Sequence, residues 1–469
     1  MEYVSTRGEA PSLGFEDVLL AGLARDGGLY VPDAWPRLEA DEIAALAGLP
    51  YPQAAVRVMH PFIGGDVPDD ELAELADDAY RGFAHPAVAP LVQTGPNAWI
   101  LELFHGPTLA FKDFAMQVLA RLMDRALKRR HARATIVTAT SGDTGGAAVE
   151  AFRGRDAIDI FVLHPHGRVS DVQRRQMTTA TESNVHNLAI EGTFDDCQAL
   201  LKALFNDLAR RDRLSLAAVN SINWARIMAQ TVYYMVSGAA LGAPARSVSF
   251  SVPTGNFGDV FAGYVAARMG LPVKRLVVAT NVNDILARTL STGRYEPMGV
   301  VPTTSPSMDI QISSNFERLV FEATGRDDGR VRSKMTALAK EGAFDLEASE
   351  LADMRALFAA RRVDEEEAAA TMRELLAGTG YLADPHTAVG IAAAAREHAS
   401  GDGPIVSFAT AHPAKFPDAV GAACGVSPPV PARLAGQLDA EERYTVLQNE
   451  YAAVAEFIEA RSRAVMEPQ

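Results

Sequence analysis

Lys112 stands within FHGPTLAFKDFAMQVL (residues 104–119), where a Gly-Pro turn leads into a run of helical spacing that opens near Asp113. A lysine at a helix start is commonly a solvated charge. Here Phe104, Leu109, Phe111 and Phe114 are its chain neighbours, and apolar surroundings would penalise the ammonium and leave a neutral amine able to form a Schiff base. A second segment, VPTGNFGDV (residues 252–260), carries Gly255 and Gly258 between a β-rich run and a helix. Glycines leave backbone amides uncovered and the helix turns its positive end to the loop, so Gly255, Asn256, Phe257, Gly258 and Asp259 make a ready phosphate cradle. Asp259 is well placed to cap that helix. A plain Gly-rich turn reads the same way. The spacing matches neither a Walker loop nor GxGxxG, so neither ATP nor NAD is indicated.

Two further loops follow the same pattern. TATSGDTGGAA (residues 138–148) offers the hydroxyls of Ser141 and Thr144 with amides near Gly142 and Gly145, which suits a carboxylate clamp or, equally, a helix cap. FATAHPAKF (residues 408–416) places Thr410 at a strand end, with His412 and Lys415 in the loop beyond. His105, His412 and Lys415 add positive potential without individual roles, and nothing has the spacing of metal ligands.

Loops of this kind need strands and helices to hold them. Val-, Ile- and Thr-rich runs at 134–140, 158–163, 185–190, 248–252, 276–279 and 405–409 read as buried strands. Helical patterning fills 114–130, 195–208, 222–237 and 259–269. Strands alternating with helices predict an α/β fold of mainly parallel sheets covered on both faces, with ligands at the carboxyl ends of the strands. Residues 1–95 read as a mostly helical lobe, with periodic stretches at 15–23, 40–47 and 69–83. Residues 96–425 form the catalytic region, including a small mobile lobe at about 134–230. Residues 426–469 give a Pro-rich linker and an acidic amphipathic helix at 439–464, whose Val446, Tyr451, Val454, Phe457 and Ile458 are expected to dock on the body or another subunit.

Composition narrows the function classes. The 469 residues are 48% hydrophobic with no apolar run of bilayer length, which argues against a membrane role. A formal charge of -15 disfavours nucleic acid while allowing a local cationic pocket for a small anion. The opening residues lack a secretory pattern, and Cys197 and Cys424 cannot build a disulfide framework, so a cytoplasmic protein is expected.

Taken in order, YVSTRGEAPSLGFEDVLLAGLARDGGLYVP, FHGPTLAFKDF, TATSGDTGGAA, NSINWARIMAQ, PTGNFGDVFAG, ATNVND, SMDIQISSNFER, DPHTAV and TAHPAKF resemble the longer form of the threonine synthases, over nearly the whole chain. The resemblance implies the tryptophan-synthase-β-like fold of pyridoxal 5′-phosphate enzymes. It implies that Lys112 binds the cofactor and then serves as general base at the substrate Cα, that residues 255–259 hold the cofactor phosphate, and that Thr410 meets the pyridine nitrogen. Asp143 falls where many enzymes of this fold place Asn against the cofactor's phenolic oxygen. A carboxylate would repel a phenolate, so Asp143 is expected to cap its helix or bind backbone amides. Ser141 and Thr144 are implied to hold the substrate's carboxylate or phosphate, and Asn220 and Arg226 of NSINWAR its phosphate. A helix cap and a surface arginine are the plain alternative for that last pair. The implied reaction converts O-phospho-L-homoserine and water to L-threonine and phosphate, in a monomer or homodimer. The rivals are a dehydratase or β-replacement enzyme of the same fold, a phospho-lyase releasing 2-oxobutanoate, and a non-catalytic binding protein.

Overall fold

The computed structural model describes residues 1–140, 142–399 and 403–465. Its strands collect into two main sheets. The first has six, in the order Phe358–Arg362, Val273–Thr280, Val248–Pro253, Ile405–Ala409, Ala98–Glu102 and Leu91–Gln93. Neighbours run parallel except the last pair. The second has five, all parallel, in the order Thr445–Gln448, Val185–Glu191, Ile158–Pro165, Ala134–Ala139 and Leu216–Ala217. Helices cover both faces of such sheets, which is why IDIFVLHP is buried at every position.

Three helices frame the site. Lys112–Arg129 and Gly258–Arg268 both pack on Trp224–Ala240, a helix buried along nearly its whole length. The N-terminal block supplies Phe15–Ala21, Tyr51–Ile63, Asp69–Tyr80 and the strand pair Tyr3–Ser5 with Tyr30–Pro32. Its apolar side runs without a break into the body: Tyr3 packs its ring 5.8 Å from that of Trp224 and donates to the Phe62 carbonyl at 2.7 Å. The buried Arg318 guanidinium joins the parts, donating to the carbonyls of Tyr30 and Ile222.

The acidic stretch after Asp439 is not one helix. Thr445–Gln448 is a strand on the open edge of the second sheet, followed by the helix Tyr451–Glu459. An edge strand leaves backbone donors and acceptors unpaired, and pairing them with Thr445–Gln448 outweighs the helical pattern of the side chains. Val454 and Ile458 are buried and Tyr451 and Phe457 pack against them, whereas Val446 lies exposed on the strand. Beyond the helix Arg463 grips Asp159 at 2.7 Å. The Pro-rich stretch before it contains the helix Ala432–Leu438, whose Leu434 packs with Leu109 and Ala414. The chain thus leaves the first sheet only to complete the second.

Gly263 shows how tightly the helix Gly258–Arg268 is seated, because a Cβ there would stand 2.7 Å from a Tyr234 ring carbon and 2.8 Å from Leu276 Cδ2. Ala in a helix interior gains about 1 kcal/mol over Gly, but overpacking costs about 1–3 kcal/mol. The second effect should win, so Gly263→Ala is expected to lower the chemical-denaturation midpoint with an unchanged m-value.

Candidate active site

Loops from both sheets meet at the carboxyl ends of parallel strands, where folds of this class place their ligands. Val248–Pro253 runs into residues 254–257, and Phe257 then opens the helix in a left-handed conformation (φ 64°) that a residue with a side chain adopts at a cost of about 1 kcal/mol or more. Packing of its buried ring on Phe316 and Phe358 holds it there. The turn sorts the backbone. Behind it, Ser313 Oγ donates to the Gly255 carbonyl at 2.7 Å, and the Asn315 amide and Nδ2 donate to that of Asn256. In front, the amides of Gly255, Asn256, Phe257, Gly258 and Asp259 have no acceptor among the described residues. Gly255 is required, since a Cβ would lie 2.9 Å from the Ser307 carbonyl. Five unsatisfied donors at a helix N-terminus fit a phosphate group.

Phe257, not Asp259, occupies the cap position. Asp259 lies one residue inside the helix with its carboxylate turned down beneath the loop, where Tyr233 and Tyr234 donate to Oδ1 at 2.6 and 3.2 Å. Oδ2 has no partner, and burial outweighs the tyrosine hydrogen bonds and pushes the carboxyl up to about 7. Between about pH 4 and pH 7 an unfolded chain ionises this group while the folded one keeps the proton, so its contribution to stability falls as pH rises, by roughly 4 kcal/mol across the window. Asp259→Asn should therefore raise the melting temperature of the cofactor-free protein relative to wild type increasingly from pH 5 to pH 7.5. A difference independent of pH would contradict this reading.

Lys112 is the first residue of its helix. Its ammonium is not wrapped in apolar side chains as its sequence neighbours suggest. Phe114 turns into a cluster with Tyr51, Phe83 and Tyr233, Leu109 joins Ala414 and Leu434, and Phe104 packs on His412. Phe111 alone of the four presents its ring, 5.7 Å from Nζ. The remaining surroundings are polar: Nζ donates to Ser307 Oγ at 3.3 Å and lies 3.5 Å from Asp143 Oδ2. Burial lowers the lysine's pKa, Asp143 opposes this, and Lys415 and Arg226 add to it.

Asp143 neither caps its helix nor binds backbone amides. It opens the helix Asp143–Phe152 after Gly142 and turns its carboxylate to Lys415 Nζ at 2.7 Å, Gln173 Nε2 at 2.9 Å and Ser307 Oγ at 3.1 Å. Burial alone would raise its pKa, but Lys415, Lys112 and these hydrogen bonds hold it well below the usual carboxylate range. The amides of Gly142 and Gly145 are not free either, because Thr140 Oγ1 accepts from both at 2.9 and 3.0 Å. Thr144 is the partly buried second residue of that helix; Ser141 lies outside the described residues.

Arg226 is not a surface residue. It is 4% exposed, its Nη1 donates to the Val219 carbonyl at 3.2 Å and its Nε has no acceptor among the described residues, while burial lowers its pKa to about 10. Its charge bears on Lys112, which puts it in the neighbourhood of that lysine. Asn223, not Asn220, caps the helix: its Oδ1 accepts from the Ala225 amide at 3.0 Å, leaving the half-buried Asn220 one turn upstream. Thr410 is buried, and its carbonyl accepts from the Phe111 amide at 2.8 Å, tying that strand end to the residue before Lys112. His412 accepts from the Ala414 amide at 3.1 Å, and His105 Nε2 lies 2.7 Å from Glu102. Lys415 is buried and donates to the Thr108 carbonyl at 2.8 Å as well as to Asp143.

Ser307 and His386 escape a reading of the sequence. Ser307 stands between Lys112 and Asp143, and its amide donates to His386 Nε2 at 3.2 Å. His386 Nδ1 lies 2.7 Å from Asp384, which also caps the helix Pro385–Glu397. The Asp-Pro-His order at a helix start was the available signal.

The pocket therefore offers a partly buried lysine whose pKa is lowered, a cradle of free amides and a buried guanidinium, which suits an aldehyde-bearing phosphate cofactor and a second anion. This is the class of pyridoxal-phosphate-dependent enzymes, whose family model matches residues 86–411. Models of the threonine synthase N terminus and of its C-terminal region match residues 2–80 and 387–458. The chain belongs to the threonine synthase family. It is 54% identical to a threonine synthase of Pseudomonas aeruginosa over 98% of both chains. The crystal structure of a PLP-bound threonine synthase from Brucella melitensis superposes with a TM-score of 0.96 at 60% identity, covering 99% of this chain and 100% of that one. A threonine deaminase from Solanum lycopersicum, at 14% identity and a TM-score of 0.51 over 81% of this chain and 93% of its own, shares the fold alone. Among the described residues no helix is long and apolar enough to cross a membrane.

Proposed function

We propose that the chain converts O-phospho-L-homoserine and water to L-threonine and inorganic phosphate, the last step of threonine biosynthesis. The observation that carries this reading is the buried Arg226, whose Nε has no acceptor among the described residues, in the neighbourhood of Lys112 and in addition to the amide cradle. A guanidinium in addition to the amide cradle matches a phosphorylated substrate beside a phosphorylated cofactor; a dehydratase or β-replacement enzyme does not need a second phosphate site.

Pyridoxal 5′-phosphate, when bound, supplies the electron sink that makes the substrate's Cα proton acidic. The amides of residues 255–259 would hold its phosphate and Thr410 would meet its ring nitrogen, with Asp143, held by Gln173, Ser307 and Lys415, beside Lys112. Lys112 Nζ removes the proton from Cα. Arg226 and Asn220 hold the substrate phosphate and stabilise its charge as it departs from Cγ, and Thr144 is a candidate for the α-carboxylate or the phosphate, as is Ser141, which lies outside the described residues. A Cβ proton is lost as phosphate leaves Cγ, a proton returns to Cγ, and water then adds at Cβ. The substrate is a small molecule, and we read the protein as cytoplasmic and acting as a monomer or homodimer.

The test is to supply O-phospho-L-homoserine to the purified protein with pyridoxal phosphate and follow phosphate, threonine and 2-oxobutanoate together. Equal phosphate and threonine support the reading. Phosphate with 2-oxobutanoate would make the protein a phospho-lyase, and no phosphate would refute the substrate.

A further inference from the structure

Two cations, Lys112 and Lys415, converge on one carboxylate, that of Asp143, and the charge of a third, Arg226, bears on Lys112. They are not equally served. Lys415, 1% exposed, has two short acceptors, Asp143 Oδ1 at 2.7 Å and the Thr108 carbonyl at 2.8 Å. Among the described residues Lys112 has two long ones, Ser307 Oγ at 3.3 Å and Asp143 Oδ2 at 3.5 Å. Arg226, although burial lowers its pKa to about 10, keeps its proton near neutral pH. Where buried like charges compete for one counter-ion, the most weakly held is the one that gives up its proton.

We infer that Lys415 is the resident counter-ion of Asp143 and that, by occupying this carboxylate, it keeps Lys112 an uncharged amine able to condense with the cofactor's aldehyde. Lys415 is thus a positioning residue acting through Asp143 on Lys112, and the inference rests on Lys112 being the cofactor lysine. The condensation joins the Lys112 nitrogen to the aldehyde carbon and expels the aldehyde oxygen as water, which an ammonium cannot do until it has lost its proton.

The other ionisable groups around Lys112 do not replace this device. Asp113, the next residue in its own helix, is bound by Thr108 through its hydroxyl at 2.7 Å and its amide at 2.8 Å, and burial pushes it up to about 6. His386 reaches the pocket only by accepting from the Ser307 amide, with Asp384 on its far nitrogen. His412 belongs to the turn that carries Lys415, and burial lowers its pKa, so it adds no positive charge near neutral pH. Gln173, the remaining partner of Asp143, is neutral.

Without Lys415 the Asp143 carboxylate has only Lys112 to pair with, and the ammonium of Lys112 gains both a counter-ion and relief from a neighbouring charge. The experiment follows by absorbance the rate at which pyridoxal phosphate condenses with the cofactor-free full-length protein between pH 6 and pH 10. Lys415→Met should raise the midpoint of this profile by about one pH unit or more. Lys415→Arg should leave the midpoint near wild type, and Asp143→Asn added to Lys415→Met should bring it back down. A Lys415→Met profile slowed equally at every pH, with its midpoint in place, would overturn the inference while leaving Lys112 as the cofactor lysine. Condensation that survives Lys112→Ala would overturn both.

Discussion

Lys112→Ala is expected to abolish threonine formation and the absorbance of lysine-bound cofactor while leaving the fold intact. Removing the group that takes the Cα proton costs about 10²- to 10⁴-fold in rate by itself, and loss of the attachment point adds to that. Folding should survive because Lys112 contributes little to the pocket's balance: its two polar contacts are long, whereas Asp143 keeps Lys415 at 2.7 Å, Gln173 at 2.9 Å and Ser307 at 3.1 Å. Deleting one of three crowded cations relieves repulsion, so the melting temperature of the cofactor-free variant should equal or exceed that of wild type. An inactive variant that melts much earlier would mean that Lys112 is structural.

Arg226→Ala carries the second large effect, and its sign differs between two measurements. With substrate bound, Arg226 supplies a charge-assisted contact to the phosphate from a desolvated position, and truncating such a partner costs about 2–5 kcal/mol. At about 1.4 kcal/mol per tenfold, kcat/KM for O-phospho-L-homoserine should fall roughly 30- to 4,000-fold. In the free protein the same guanidinium is buried with one weak carbonyl contact and an unsatisfied Nε. A buried charge without a counter-ion destabilises the fold, so the cofactor-free variant should be more stable than wild type. Cofactor affinity should change little, because the amides of residues 255–259 belong to a different helix N-terminus. Equal losses of cofactor and substrate affinity would put Arg226 at the cofactor phosphate instead.

What the sequence revealed of this site follows from how local each feature is. The cradle at residues 255–259 was legible because its chemistry belongs to consecutive backbone amides and two glycines. Lys112 was legible as a residue but not in its surroundings: Phe104, Leu109 and Phe114 adjoin it in the chain yet turn to separate clusters, while its real neighbours Asp143, Ser307 and Lys415 lie far along the chain. Asp143 was misjudged for the same reason. A carboxylate at a helix start has a local use, and only the fold brings Lys415 to it. The parallel sheets were legible from apolar runs alternating with helical periods. The strand Thr445–Gln448 was not, because the vacant sheet edge that recruits it is set by Val185–Glu191, more than 250 residues earlier.

The presence of two lysines within reach of one carboxylate, Lys415 buried and Lys112 partly so, makes one measurement decisive. The holoprotein should be treated with borohydride, which fixes a lysine-bound pyridoxal group, then digested and the modified peptide sequenced by mass spectrometry. The account predicts the pyridoxyl group on Lys112 and an unmodified Lys415. A pyridoxyl group on Lys415 would contradict it, because the lysine placed here as permanent counter-ion would then be the one that carries the cofactor.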